Sequence, residues 1–221
     1  MTAIDLDPYR TLIFDCDGVI LNSNQIKTEA FVIAASEYGE DAALRLRDYH
    51  LANGGVSRYE KFAYFLSDVV ESSDVEESYT CLLQRYGKAV HWGLRSATIA
   101  DGLPELRHAT PQASWLVVSG GDQEELRELF QERELARYFD GGIFGSPSTK
   151  EAILNDCCQE GIIEFPALYL GDTRHDHEVS SAVGLDFLFV EEWSEFVDWK
   201  EYRNRFEFRS VRNIVELLKA Q

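Results

Sequence analysis

The sequence predicts an α/β fold, a doubly wound parallel sheet with an all-helical domain inserted after its first strand. Three observations predict it. Five short runs are apolar throughout rather than alternating, as strands buried on both faces are. Helical patterns follow the later runs, which is the βαβ arrangement with crossover helices. The interval between the first two runs is long and holds no convincing strand.

The first run, Thr11–Asp15, leads into Asp15-Cys16-Asp17-Gly18. In the interval after it, Ile26, Ala30, Ile33 and Ala34 recur at helical spacing. So do Tyr59, Phe62, Ala63, Leu66 and Val70, and Glu76–Val90 reads as a further helix. A parallel crossover needs only about a dozen residues. Residues 21–97 are therefore expected to form a helical cap, and residues 1–20 with 98–221 the sheet domain. Trp115–Ser119 is the second strand, ending in Ser119-Gly120-Gly121 and followed by a helix over Asp122–Glu134. Gly142–Gly145 is the third, and Lys150 opens the next helix, Ser148–Glu160. Ala167–Gly171 is the fourth, followed by Asp172, by Asp176 four residues later, and by a helix over His175–Val183. After the fifth strand, Asp186–Val190, the pattern predicts a helix over Trp193–Lys200, a short edge strand at Phe206–Phe208 and a final helix over Arg212–Lys219. The aromatic residues of this stretch read as core or subunit contact.

Composition narrows the function. The chain has 221 residues, 21 basic against 39 acidic, a net charge of −18. Such a field repels nucleic-acid phosphates and anionic lipid, so neither is an expected partner. An anionic substrate must then be met by a local positive device, a metal ion or a few placed basic groups. Cys16, Cys81, Cys157 and Cys158 include no CxxC pair and do not read as a disulfide framework, which points to a reducing compartment. The N-terminal residues have no basic-then-apolar leader pattern, and no apolar run approaches about 18 residues. A soluble, cytoplasmic protein is expected.

In open α/β sheets ligands bind outside the carboxyl ends of the strands. There the sequence places Asp15, Asp17, Ser119 with Gly120, Lys150, Asp172 and Asp176. Clustered carboxylates repel unless a cation holds them, and an all-oxygen donor set suits Mg²⁺. Ser119, the Gly120 N–H and Lys150 offer donors to phosphate oxygens. An Asp at a strand end can attack phosphorus, and a second carboxylate two residues on can protonate a leaving oxygen and later activate water. Each piece alone has a plainer reading as a turn, a solvated lysine or a helix cap. Their order along successive strand ends points to one crevice. A calcium loop is excluded by Ile26, where such a loop needs Glu. His175-Asp176-His177 does not read as zinc, since i and i+2 do not share a helix face. Glu124-Glu125 and Glu76-Glu77 read as solvated helix faces.

Asp15-Cys16-Asp17-Gly18-Val19-Ile20, Ser119, Lys150 and Gly171-Asp172-Thr173-Arg174-His175-Asp176 together resemble the four motifs of the haloacid dehalogenase-like hydrolase superfamily. The resemblance covers nearly the whole chain and is to the subgroup with a helical cap after the first strand, which includes phosphoglycolate phosphatases and β-phosphoglucomutases. It implies a Rossmann-like core and an aspartyl-phosphate mechanism. By that resemblance Asp15 is the nucleophile and Asp17 the general acid/base. Mg²⁺ is held by Asp15, the Asp17 carbonyl and Asp172, with Asp176 in support, while Ser119 and Lys150 hold the phosphoryl group. Asn22 stands where many relatives have Asp, and Val19 where Thr is commoner. Dehalogenases proper and phosphonatases lack an acid at the Asp17 position, so neither activity is implied. Gly55-Val56-Ser57-Arg58 is similar to a cap loop of sugar-phosphate mutases, which implies Arg58 as a substrate contact; read plainly, Ser57 caps a helix and Arg58 is surface. Lys27 stands near the hinge where the mutase has a histidine.

The expectation is a Mg²⁺-dependent phosphatase of a small phosphorylated metabolite, of phosphoglycolate or sugar-phosphate type. A hexose-phosphate mutase sharing the aspartyl-phosphate is the nearest rival. A non-catalytic binding protein is the rival of another class, disfavoured because binding alone needs no acid/base beside a nucleophile.

Overall fold

The structure, a computed structural model, describes residues 4–70 and 75–218. Strand β1 (Thr11–Phe14) is followed by helices α1 (Asn24–Ala35), α2 (Glu40–Ala52), α3 (Arg58–Tyr64), α4 (Val75–Ser96) and α5 (Leu103–Ala109) before β2 (Ser114–Asp122). The remainder alternates: α6 (Gln123–Glu132), β3 (Gly142–Ser146), α7 (Lys150–Gln159), β4 (Ala167–Gly171), α8 (Arg174–Ala182), β5 (Asp186–Val190), α9 (Trp199–Phe206), β6 (Arg209–Val211) and α10 (Val215–Leu218). The strands form one parallel sheet in the order β3-β2-β1-β4-β5-β6. The winding reverses between β1 and β4, so their carboxyl ends border the switch-point crevice. Phe14 pairs in register with both Leu170 and Val117. The residues after β1 and β4 therefore emerge side by side, and the Asp15 amide donates to the Leu170 carbonyl at 2.9 Å.

The apolar runs become strands because both sheet faces are covered. Leu12, Phe14, Trp115 and Leu170 lie in one core layer, and Ile13, Leu116, Val118 and Tyr169 in the other. Helices α1 to α4 have a core of their own, in which Phe31, Phe62, Phe65, Leu82 and Tyr86 are buried, whereas Leu103 and Leu106 of α5 join the sheet-side core. The three crossover helices start where side chains take up free amides: Asp122 caps α6, Thr149 caps α7 and Thr173 caps α8.

The C-terminal stretch departs from expectation. Residues 193–198 are not helical, and the helix begins only at Trp199. Ser194 Oγ donates to the Asp172 carbonyl at 2.5 Å and accepts from the Phe196 amide at 3.1 Å, which holds this segment as a loop over the crevice. The edge strand lies at Arg209–Val211 rather than Phe206–Phe208. Glu207, with φ 57°, ends α9, and Phe208 packs on Phe187 and His177. The final helix is Val215–Leu218, so Arg212, Asn213 and Ile214 of the expected span form a turn before it, and Lys219 lies outside the described residues. Helix α5, unmarked by the sequence pattern, begins after Gly102, where φ is +84°. The four cysteines are free. No helix among the described residues is long and apolar enough to cross a membrane.

Leu170 is fully buried beside the crevice. Leu170→Ala is expected to lower unfolding free energy by about 2–5 kcal/mol with an unchanged urea m-value. A loss below about 1 kcal/mol would show that the switch point is not packed as described.

Candidate active site

Asp15 follows β1 directly, and Lys150 opens α7. The Lys150 ammonium lies 2.9 Å from Asp15 Oδ1 and 2.6 Å from Asp176 Oδ1. All three side chains are almost wholly buried. Asp15 Oδ1 also accepts from the Cys16 amide at 2.8 Å, so both contacts of this carboxylate fall on one oxygen. Asp176 is saturated. Its Oδ1 takes Lys150 and the Tyr169 hydroxyl, and its Oδ2 takes the amides of Asp172 and Thr173 and the Thr173 hydroxyl. Burial pushes the Asp15 carboxyl up to about 7, with Lys150 offsetting part of the rise. Burial works the same way on Asp176, but the charge and hydrogen bond of Lys150 outweigh it and hold Asp176 below the usual carboxylate range.

Asp172, from the loop after β4, completes the cluster. Its Oδ2 accepts from Asn24 Nδ2 at 2.7 Å, and the same amide group donates to the Trp193 carbonyl at 2.9 Å. Its Oδ1 is buried with no hydrogen-bond partner among the described residues. Burial, reinforced by Asp15 and Asp176, raises the Asp172 carboxyl well above its ordinary range. Gly18 makes this approach possible: its φ is +77°, and a Cβ there would lie 2.2 Å from Asp172 Oδ2.

Asp17 has different surroundings. Its carboxylate is held by Lys27 Nζ at 2.5 Å and Ser23 Oγ at 2.6 Å. Burial alone would raise it, but Lys27 and Ser23 outweigh burial and lower it, so Asp17 is ionised. Ser119 is buried and its Oγ accepts from the Gly121 amide at 3.0 Å. A cavity of about 860 Å³ opens in front of these groups. Asp15, Asp17, Asp172 and Gly120 line it from the core side, while Ser119 and Lys150 stand behind that lining. Gly120 packs closely against the cap, since a Cβ on it would lie 2.4 Å from the Gly55 carbonyl oxygen.

Arg58 is buried in the cap wall of the cavity, with its guanidinium on the Glu125 carboxylate of α6. It is thus neither a free surface residue nor an uncompensated charge, and Glu125 is not a purely solvated position. Ser57 does cap α3, accepting from the Glu60 amide at 3.2 Å. His177 turns into the aromatic cluster, its Nδ1 3.0 Å from the Tyr202 hydroxyl. It therefore does not converge on Asp176. The sequence reading did not single out Asn24, Ser23, Tyr169 or Ser194. Asn24 and Ser23 lie within two turns of the Asp17 loop, a proximity that could have marked them.

The donor set fits a small, hard divalent cation. Asp15, Asp172 and Asp176 offer oxygens all within 4.8 Å of one another. Asp176 has its acceptors filled, so a cation would rest on Asp15 and on the orphaned Asp172 Oδ1. The Asp17 carboxylate is not part of this group and faces Lys27 instead.

Residues 12–190 match the protein family described as haloacid dehalogenase-like hydrolase. Similar solved structures include a "predicted phosphatase" from Clostridium acetobutylicum, 20% identical with a TM-score of 0.73 over 96% of this chain and 97% of that one. The β-phosphoglucomutase of Clostridium difficile is 17% identical with a TM-score of 0.73, over 95% and 93%. A HAD-hydrolase of Bacillus subtilis bound to magnesium, described with interdomain movement, is 18% identical with a TM-score of 0.66, over 96% and 98%. At such identities the likeness is one of fold. No curated protein matches the chain.

The raised Asp15 carboxyl, about 7 against an ordinary 3.8, has a consequence for stability. The folded chain binds this proton more tightly than the unfolded one, so in the absence of a cation its contribution is full below about 3.8 and is lost as pH rises through about 7. A cation displaces the proton. Millimolar Mg²⁺ is expected to raise Tm more at about pH 7.5 than at about pH 5.5, and Asp172→Asn to remove that difference. Equal responses at both pH values would contradict the site.

Proposed function

The chain belongs to the haloacid dehalogenase-like hydrolase family, and on that premise we propose that it is a Mg²⁺-dependent phosphatase acting on a small phosphorylated metabolite in the cytoplasm. The observation that carries this reading is the pairing of a half-committed nucleophile with an orphaned ligand. Asp15 is tethered through Oδ1 alone, and Asp172 Oδ1 beside it is buried without a hydrogen-bond partner among the described residues. Asp15 attacks phosphorus through its untethered oxygen and forms an aspartyl-phosphate, with the leaving oxygen departing as the alcohol of the product. Mg²⁺, when bound through Asp15, the Asp17 carbonyl and Asp172, supplies positive charge to the phosphoryl oxygens. Ser119 and the Gly120 amide donate to those oxygens, and Lys150 offsets the negative charge that gathers there. Asp176 positions Lys150.

Asp17 serves both halves of the reaction. Protonated, it gives its proton to the leaving oxygen; ionised, it takes one from the water that releases phosphate. Its pairing with Lys27 and Ser23 favours the ionised form, which suits immediate activation of water. A mutase needs the same base for its sugar hydroxyl but must also keep water from the aspartyl-phosphate until that hydroxyl arrives, and Lys27, standing where the mutase has a hinge histidine, favours hydrolysis. Arg58 has its charge met by Glu125, so the mutase-like cap loop adds little to the rival reading. A purely binding role leaves the acid/base beside the nucleophile without a purpose.

Asp15→Asn is expected to lower turnover of an aryl phosphate at least about 100-fold while leaving the circular dichroism spectrum unchanged, since an amide cannot act as the attacking oxyanion. Residual activity above that level in protein free of contaminating phosphatase would remove Asp15 from the role.

Hydrolysis and isomerisation separate on products. With a sugar phosphate, inorganic phosphate is expected in stoichiometric yield with no bisphosphate activator. Interconversion of a hexose 1-phosphate and 6-phosphate faster than phosphate release would make the protein a mutase.

A further inference from the structure

The cap wall of the cavity holds three basic side chains, and two have acidic partners. Lys27 is paired with Asp17 and Arg58 with Glu125. The third, Lys61 on α3, makes no ion pair among the described residues; its hydrogen-bond partner is Nδ1 of His50 at 2.8 Å. Lys61 is 2% exposed, and its ammonium lies 5.4 Å from the centre of the Phe31 ring. It nevertheless lines the same cavity as Asp15 and Asp172, as does His50. Arg58 and Lys61 stand three residues apart on α3, on one helix face.

His50 brings no compensating charge. Burial, with Lys61 adding repulsion, pushes its ring down to about 2, so it is neutral. An ammonium only donates, so Nδ1 is the acceptor and the proton of the neutral ring sits on Nε2. The ammonium keeps two further N–H donors. A buried cation without a counter-charge is costly, and here burial together with Lys27 pushes Lys61 down to about 7. An anion entering the cavity would remove that cost.

We propose that Lys61, seated on His50, receives a carboxylate on the leaving portion of the substrate, so that the substrate is the phosphomonoester of a hydroxy acid. The proposal rests on the phosphatase reading. The phosphoryl group sits at Asp15 in the core and the carboxylate at Lys61 in the cap. With Lys27 and Arg58 neutralised in place, Lys61 is the one cap-wall cation without an acidic partner among the described residues, while Arg174, on the core side of the cavity, stacks on the Phe196 and Tyr202 rings. That single cap-wall cation matches a carboxylate better than a second phosphate, which carries about −1.5 to −2 near neutral pH. The cavity of about 860 Å³ is large for a two-carbon acid. Asn24, Asn53, Thr173, Glu178 and Glu195 in its lining offer hydrogen bonds to hydroxyl groups. The fitting class is a phosphorylated sugar acid.

The test uses matched pairs of phosphomonoesters of increasing length, each acid against its alcohol analogue, with 6-phosphogluconate and sorbitol 6-phosphate as one pair. Wild type is expected to prefer acids by at least about tenfold in kcat/KM, chiefly through KM. Lys61→Met should bring the acid-to-alcohol ratio to within about threefold of unity, and Lys61→Arg should keep much of the preference. Wild type showing no acid preference in any pair, or Lys61→Met retaining it, overturns the proposal. If Lys61→Met fails to fold, Lys61→Gln takes its place, and the wild-type ratios decide on their own. Calorimetric titration of the same pairs into wild type with Mg²⁺ separates the two readings. If no ester, including an aryl phosphate, is turned over, the phosphatase reading fails, and tighter binding of acids than alcohols still supports the Lys61 site, while equal binding overturns it.

Discussion

The Lys150 ammonium, held between Asp15 at 2.9 Å and Asp176 at 2.6 Å, is the interaction on which the site depends. Without it three carboxylates could not share a water-poor space at the switch point. The fold supplies the conditions. Parallel pairing of β1 with β4 sets Asp15 beside the loop that carries Asp172, and the Thr149 cap starts α7 so that Lys150 reaches both acids. Asp176 takes two donors on one oxygen and three on the other, which fixes Lys150 and the Asp172 loop together. One cation balances part of the charge. The remainder appears as the raised Asp15 and Asp172 carboxyls and as an Asp172 oxygen without a partner among the described residues, a donor set that a second cation would fit.

The cap is tied to this core by polar contacts and by a small apolar seam, in which Ile26 and Leu94 pack on the sheet-side cluster and Leu94 also packs on the cap's own core. Arg58 pairs with Glu125, and the Tyr59 hydroxyl donates to Asp122 at 2.6 Å. Thr28 donates to Glu195 of the loop that follows β5 at 2.8 Å. Of these only Arg58–Glu125 is an ion pair, and its Glu125 side is exposed, which limits what it contributes to stability. Gly54 and Gly55 allow the cap loop to approach Thr173 closely. The cap's basic wall thus faces the core's acidic cluster across one cavity, a complementarity absent from the strongly acidic chain as a whole.

Much of this was legible because both faces of the sheet are covered. TLIFD, WLVVS and ALYLG are apolar throughout for that reason, and the residues ending them carry the chemistry. The C-terminal misreading has a physical source. Trp193, Phe196, Trp199 and Tyr202 recur at helical spacing, yet Ser194 spends its hydroxyl on the Asp172 carbonyl and keeps residues 193–198 in a loop. A periodic pattern cannot reveal a tertiary hydrogen bond. Asn24 and Tyr169 were missed likewise, because their roles come from partners distant in sequence. Lys61 was within reach, three residues beyond Arg58 on a helix whose N-cap had been recognised. What the sequence could not show is that Arg58 would find Glu125 and that Lys61 would find His50 and, among the described residues, no carboxylate.

The central claim is that Asp15 carries the phosphoryl group. The most direct measurement is acid quench during turnover of an activated aryl phosphate by the Asp17→Asn variant, followed by peptide mass spectrometry: the aryl oxide leaves without a proton from Asp17, while loss of the base slows breakdown of the intermediate. The account predicts phosphorylation of Asp15. Phosphate released over a full turnover with Asp15 never modified, or the phosphoryl group found on another residue, would contradict it.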